Sequence, residues 1–168
     1  MENWSSAVEE IKASKTDPPS FDSVFANLDY KIVMISLKDI AKTCAQHLLA
    51  TGQSLPHGSG TGPYVFNIHG PHEYSVNDLG SALEQLMEKP LGVKAIEPQQ
   101  LLPYFKAGLP SPQLEETAEM ILAMAPGGVL GKDMENGDKN ISKGQVELVD
   151  ALRNFVTGEA SRELSGAF

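Results

Sequence analysis

The sequence predicts an α+β domain, mostly helical, with two or three short strands. Three observations predict it. Apolar residues recur at three- and four-residue intervals in five or six stretches, the period of an amphipathic helix. Between those stretches stand only brief runs of strand character: Tyr30-Lys31-Ile32-Val33-Met34-Ile35, Tyr64-Val65-Phe66-Asn67-Ile68 and Val93-Lys94-Ala95-Ile96. Clusters of Gly, Pro and Ser punctuate the boundaries. Three isolated strands are too few to build a doubly wound parallel sheet on their own.

Residues 3–14 place Trp4, Val8 and Ile11 at helical spacing and stop at Thr16-Asp17-Pro18-Pro19. A loop with apolar anchors (Phe21, Val24, Phe25, Leu28) follows, then the first strand. Ser36 is positioned to cap a helix with Leu37, Ile40, Ala41, Cys44 and Leu48 as its inward face. Asp39 falls in the first turn, where a negative charge suits the helix dipole. Residues 51–63 are a loop by composition, and the second strand leads into His69-Gly70-Pro71-His72-Glu73-Tyr74. Ser75 and Asp78 resemble a capping box ahead of a helix with Val76, Leu79, Leu83, Leu86 and Met87 on one face. After the third strand, residues 98–108 read as a short helix ended by Gly108. Ser111-Pro112 start another, with Leu114, Ala118, Ile121, Leu122 and Ala125 inward, ended by Pro126-Gly127-Gly128. Ser142, with Gln145 completing a capping box, opens a closing helix that buries Val149, Leu152, Phe155 and Val156. Residues 131–141 and 160–168 are expected to be flexible, and 1–168 to form a single domain.

Composition excludes several function classes. With 13 basic against 22 acidic side chains the formal charge is -9, so a phosphate backbone is repelled on average. The basic residues are scattered, which argues against nucleic acid and anionic membrane as partners. No apolar run approaches the ~20 residues that span a bilayer. The opening Met1-Glu2-Asn3-Trp4 has neither the basic flank nor the apolar core of a secretory signal. One cysteine, Cys44, fits a reducing compartment, and the expected location is the cytoplasm.

The candidate chemistry sits at His69, His72, Glu73 and Tyr74, between a strand and a helix, the kind of edge where α/β proteins bind ligands. Histidine exchanges protons near neutral pH, and a neighbouring carboxylate assists it. The alternative is that Gly70-Pro71 makes a turn whose polar neighbours face water. Zinc requires three or four convergent ligands, and His69-x-x-His72 supplies two, so no metal is expected. Trp4, Tyr104, Phe105, Met120 and Met124 are candidates to line an apolar substrate cavity, or else ordinary core. Cys44, on an apolar helix face without a basic neighbour, reads as core.

Several stretches, in order, resemble the second half of NmrA-like proteins, atypical relatives of the short-chain dehydrogenases/reductases. They are Met1-Glu2-Asn3-Trp4; Lys31-Ile32-Val33-Met34-Ile35-Ser36-Leu37-Lys38-Asp39-Ile40-Ala41; and Tyr64-Val65-Phe66-Asn67-Ile68-His69-Gly70-Pro71-His72-Glu73-Tyr74-Ser75. The run Leu109 to Leu130 and Val149-Asp150-Ala151-Leu152-Arg153-Asn154-Phe155-Val156 extend the resemblance over most of the chain. The family's Gly-rich NAD(P)-binding unit has no counterpart here. In Gly58-Ser59-Gly60-Thr61-Gly62-Pro63 the third glycine comes one residue early, and Pro63 stands where the motif needs glycine. Gly127 to Lys132 lacks the flanking Gly and Ser/Thr of a phosphate loop. The resemblance therefore implies the remnant of an NmrA-like α/β fold, its substrate-binding half, with no cofactor of its own. It implies a hydrophobic small-molecule substrate, a fungal secondary-metabolism setting and a homodimer that covers faces left bare by the missing half. A cofactor-independent isomerase, cyclase or epoxide-opening enzyme is one expectation. A regulatory or accessory protein-binding module, or one part of a split reductase, is the other.

Overall fold

A computed structural model describes residues 3–49, 67–108, 114–130 and 141–157. Its architecture is α+β, as expected from the sequence, with helices dominating and the strands gathered in small sheets. Helices α1 (Asn3–Ala13), α2 (Leu37–Leu49), α3 (Val76–Met87), α4 (Leu101–Gly108), α5 (Leu114–Met124) and α6 (Leu148–Thr157) are interspersed with strands β1 (Ser20–Ser23), β2 (Ile32–Val33), β3 (Asn67–His69), β4 (Glu73–Tyr74), β5 (Gly92–Ala95) and β6 (Ile141–Lys143), in the order α1-β1-β2-α2-β3-β4-α3-β5-α4-α5-β6-α6. A single 3₁₀ turn, Pro98–Gln100, leads into α4. The sheets are two-stranded: β1 parallel to β5, β2 antiparallel to β4, and β3 parallel to β6.

The main core forms where α1, β1, α3 and α6 meet. Val8 and Ile11, Phe21, Leu79 and Leu83, and Leu152 are buried together, each full burial stabilising by roughly 1.5–3 kcal/mol. A second cluster joins Ile96 to Leu101 and Phe105 of α4 and to Ala118 and Ile121 of α5. Phe25 packs against both clusters and links them.

Helix α3 forms as its local signals require. The Ser75 hydroxyl accepts from the Asp78 backbone N–H at 3.1 Å, and the Ser75 N–H donates to the Asp78 carboxylate at 2.8 Å, a closed capping box. At its other end Glu88 adopts a left-handed conformation, φ 54°, where a Cβ is strained and glycine is not. Glu88→Gly is expected to raise stability by roughly 0.5–1 kcal/mol, read as a higher urea midpoint. A lower midpoint would show that the Glu88 side chain contributes more than its backbone costs.

Four expectations need correction. Helix α2 does not bury Leu37, Ala41, Cys44 and Leu48: Leu37 is 63% and Leu48 85% exposed, and Cys44 is exposed rather than core. The face turned inward carries Ser36, Asp39, Ile40, Thr43 and His47, roughly 100° around the helix. Asp39 sets that rotation, because its carboxylate is buried and accepts the backbone N–H groups of Gln145 (3.0 Å) and Val146 (2.9 Å). The second correction is linked to the first. Ser142 does not cap the closing helix, since Ile141–Lys143 is drawn into β6 beside β3 and the helix starts at Leu148. Ile141 therefore belongs to a strand, while 131–140 and 160–168 lie outside the described residues.

Third, Leu122 and Phe155 face outward, at 42% and 37% exposure, because Ile121 and Leu152 take the inward positions beside them. Fourth, the strand expected over 30–35 pairs only at Ile32–Val33, where β4 is two residues long. Strands β1 and β6 were not expected at all, and neither was the pairing of Glu73–Tyr74. The start expected at Ser111-Pro112 falls outside the described residues.

Candidate functional site

Three elements converge on one cleft of about 740 Å³. The turn after β3 and strand β4 supply Pro71, His72, Glu73 and Tyr74. Helix α3 supplies Asp78, Ser81, Ala82 and Gln85, and the segment entering α6 supplies Lys143, Glu147, Leu148 and Val149. Gly70 makes the first of these placements possible. A Cβ there would overlap the Met34 carbonyl oxygen, so only glycine lets the turn lie against the chain leaving β2.

Glu147 is the centre of the site. Its backbone carbonyl accepts from Ala151, which makes it the residue that caps α6. One carboxylate oxygen accepts the Tyr74 hydroxyl at 2.7 Å, and the other lies 3.6 Å from His72 Nε2. The Tyr74 oxygen also accepts the Leu148 backbone N–H at 3.4 Å, satisfying an otherwise unpaired donor of the first helical turn. The His72 and Tyr74 rings meet edge to face at 6.2 Å and 89°. Burial, then the hydrogen bond to Glu147, pushes the Tyr74 phenol above its ordinary value, so it remains a proton donor across neutral pH. The Ser75 backbone N–H and hydroxyl hold the Asp78 carboxyl below its ordinary range, with Lys31 adding a smaller pull.

The structure thus separates the four residues singled out in the sequence. His72, Glu73 and Tyr74 line the cleft, whereas His69 ends β3, paired with Lys143, and is not among the lining residues. The candidate substrate wall is not assembled there either. Phe105 is buried in the second core cluster, Tyr104 and Met124 pack against that cluster, and Met120 is half exposed on α5. Tyr104 and Phe105 touch edge to face at 5.6 Å, a packing contact. The Trp4 side chain lies outside the described residues. Sequence reasoning missed Glu147, Lys31 and Lys143. A carboxylate at the head of a strongly amphipathic helix was the available signal for Glu147.

Among the described residues, no three His, Cys, Asp or Glu side chains converge as metal ligands. Residues 58–63 fall outside the described residues, so their departure from a nucleotide-binding motif rests on sequence alone. Among the described residues no helix is long and apolar enough to cross a membrane. No family model, no curated protein and no solved structure matches the chain.

Proposed function

We propose that this chain is a small-molecule-binding protein that performs acid–base chemistry in the His72–Glu147–Tyr74 cleft without a nucleotide cofactor. The observation that carries the reading is the shared carboxylate: Glu147 holds the Tyr74 phenol with one oxygen and faces the His72 imidazole with the other. His72 Nε2 faces Glu147 at 3.6 Å, and we assign the other ring nitrogen, Nδ1, to take a proton from a bound substrate. The Tyr74 hydroxyl fixes the Glu147 carboxylate in place beside the imidazole. A positioned base of this kind accelerates proton transfer by roughly 10²–10⁴-fold. Isomerisation and cyclisation of a carbonyl compound are reactions within its reach.

The kinship we propose is to the substrate-binding half of NmrA-like proteins, in a fungal secondary-metabolism setting and in the cytoplasm. Its support is the set of quoted stretches alone. The test is deuterium exchange from D₂O into enolisable ketones and hydroxycarbonyls, followed by NMR, alongside thermal melts with and without NADP. Exchange by the native chain, reduced at least about 10²-fold in His72→Ala, with a melt indifferent to NADP, is the expected result. A melt raised by NADP, or exchange unchanged in His72→Ala, would overturn the reading.

A second reading is favoured by α2. Leu37, Ala41, Cys44 and Leu48 form one exposed stripe, continued at Leu49, which is 81% exposed. An unsheltered stripe of this kind fits a homodimer, or an accessory or split-reductase subunit that docks on a partner. Light scattering on the isolated chain tests the homodimer: a dimer converted to monomer by Leu48→Glu is the expected result, and a monomer unaffected by Leu48→Glu removes it.

A further inference from the structure

Two helices carry most of the large apolar side chains left exposed among the described residues, and their charges are opposite. On α2 these side chains are Leu37, Leu48 and Leu49; on α5 they are Met120 and Leu122. The exposed charges of α2 are Lys38 and Lys42, because Asp39, its one acid, is buried. The exposed charges of α5 are Glu115, Glu116 and Glu119, and the helix has no basic residue. A basic and apolar helix face on a chain of formal charge -9 complements the acidic and apolar face that the same chain carries elsewhere.

The order of side chains along the two helices matches as well. At about 100° per residue, Lys38, Lys42, Ala45 and Leu49 lie along one row of α2, beside the row Leu37-Ala41-Cys44-Leu48. Glu115, Glu119 and Leu122 lie along one row of α5, beside the row Glu116-Met120-Ala123. In the charged rows the charges come first and the apolar side chains follow. A parallel pairing therefore sets Lys38 and Lys42 against the glutamates, and Leu48 and Leu49 against Met120 and Leu122. An antiparallel pairing would set the lysines against the apolar end.

We propose that α2 is the docking face for α5 of a second copy of this chain, with the two helices parallel and the contact reciprocal, so that the pair closes. The apolar rows supply the affinity, and the lysine–glutamate pairs beside them select the partner and its direction. This rests on the homodimer reading of the exposed α2 stripe.

The test is sedimentation equilibrium of the full chain over a range of concentrations, with circular dichroism melts to confirm folding. Three variants are compared with the native chain: Lys38→Glu/Lys42→Glu, Glu116→Lys/Glu119→Lys, and the quadruple variant that combines them. The expected result is a dimer whose dissociation constant rises about ten-fold or more in either double variant and returns close to the native value in the quadruple one. An equimolar mixture of the two double variants should also pair, since each restores the other's contact. A dimer weakened by Leu48→Glu, but restored neither in the quadruple variant nor in the mixture, would overturn the α2–α5 pairing and leave the homodimer reading. A dimer indifferent to all these variants, or a chain monomeric at every concentration, would overturn both.

Discussion

Replacing Gly70 with alanine is expected to lower stability by about 3 kcal/mol or more, at the upper end of what overpacking costs. Gly70 is buried, and the atoms a Cβ would meet are the Met34 carbonyl oxygen and carbon and the Ile35 Cα, all main chain. A side chain can rotate away from an intruder; a backbone carbonyl after a paired strand can move only if β2 and the turn separate. That separation would also carry His72 and Tyr74 away from Glu147. Two readouts should therefore change together. The melting temperature should fall by roughly 6–12 °C, and deuterium exchange into enolisable ketones should be lost. A Gly70→Ala chain that melts within about 2 °C of the native one would mean that the close approach to Met34 is not maintained in solution.

The second large effect is expected at Asp39. Its buried carboxylate accepts two backbone N–H groups more than a hundred positions along the chain, at Gln145 and Val146. Hydrogen bonds to a charged group contribute about 1.5–3 kcal/mol each, and removing the acceptor leaves the donors to find water. Asp39→Ala is expected to cost about 3 kcal/mol, whereas Asp39→Asn, which keeps a carbonyl acceptor, should cost distinctly less. Gly144 sharpens the contrast, since a Cβ there would press on the Asp39 carboxylate, 2.5 Å from Oδ2. Hydrogen exchange should localise the loss: in Asp39→Ala the amides of residues 143–152 exchange faster while those of α3 keep most of their protection. Uniform acceleration across the chain would indicate that Asp39 supports the whole fold and not this junction.

Where structure was legible in the sequence, its cause was local. The α3 start could be read because Ser75 and Asp78 bond to each other three residues apart, and its buried face because Val76, Leu79 and Leu83 repeat at helical spacing. Residues 98–108 could be read for a similar reason, a proline-led turn running into Leu101 and Phe105. What escaped depended on remote partners. Ser20-Phe21-Asp22-Ser23 carries little strand character and becomes a strand because Gly92–Ala95 lies alongside. Ser142 and Gln145 satisfy a local capping rule, yet the β3 edge and the Asp39 carboxylate claim that segment first. The apolar stripe of α2 misled because one buried carboxylate, not the sum of methyl groups, sets the helix's rotation. The site was half visible: His72, Glu73 and Tyr74 are consecutive in sequence, but Glu147, which joins His72 to Tyr74, is 73 residues from Tyr74.

That distance has a consequence for how the chain reaches its native state. The donors at the head of α6 are satisfied by Asp39 and by the Tyr74 hydroxyl, and β6 pairs with a strand that begins at Asn67. None of these partners is nearby in sequence, so loop-closure entropy must be overcome before any of these bonds forms. High contact order of this kind slows folding. During synthesis, α3 and its capping box can form as soon as residue 88 has left the ribosome. The Asp39 carboxylate, the Tyr74 phenol and the open edge of β3, by contrast, wait in water until residues 141–148 emerge. The nascent chain therefore holds half of the cleft around His72 and Tyr74 and an unpaired strand edge at the same time, and a single late event completes the first and closes the second.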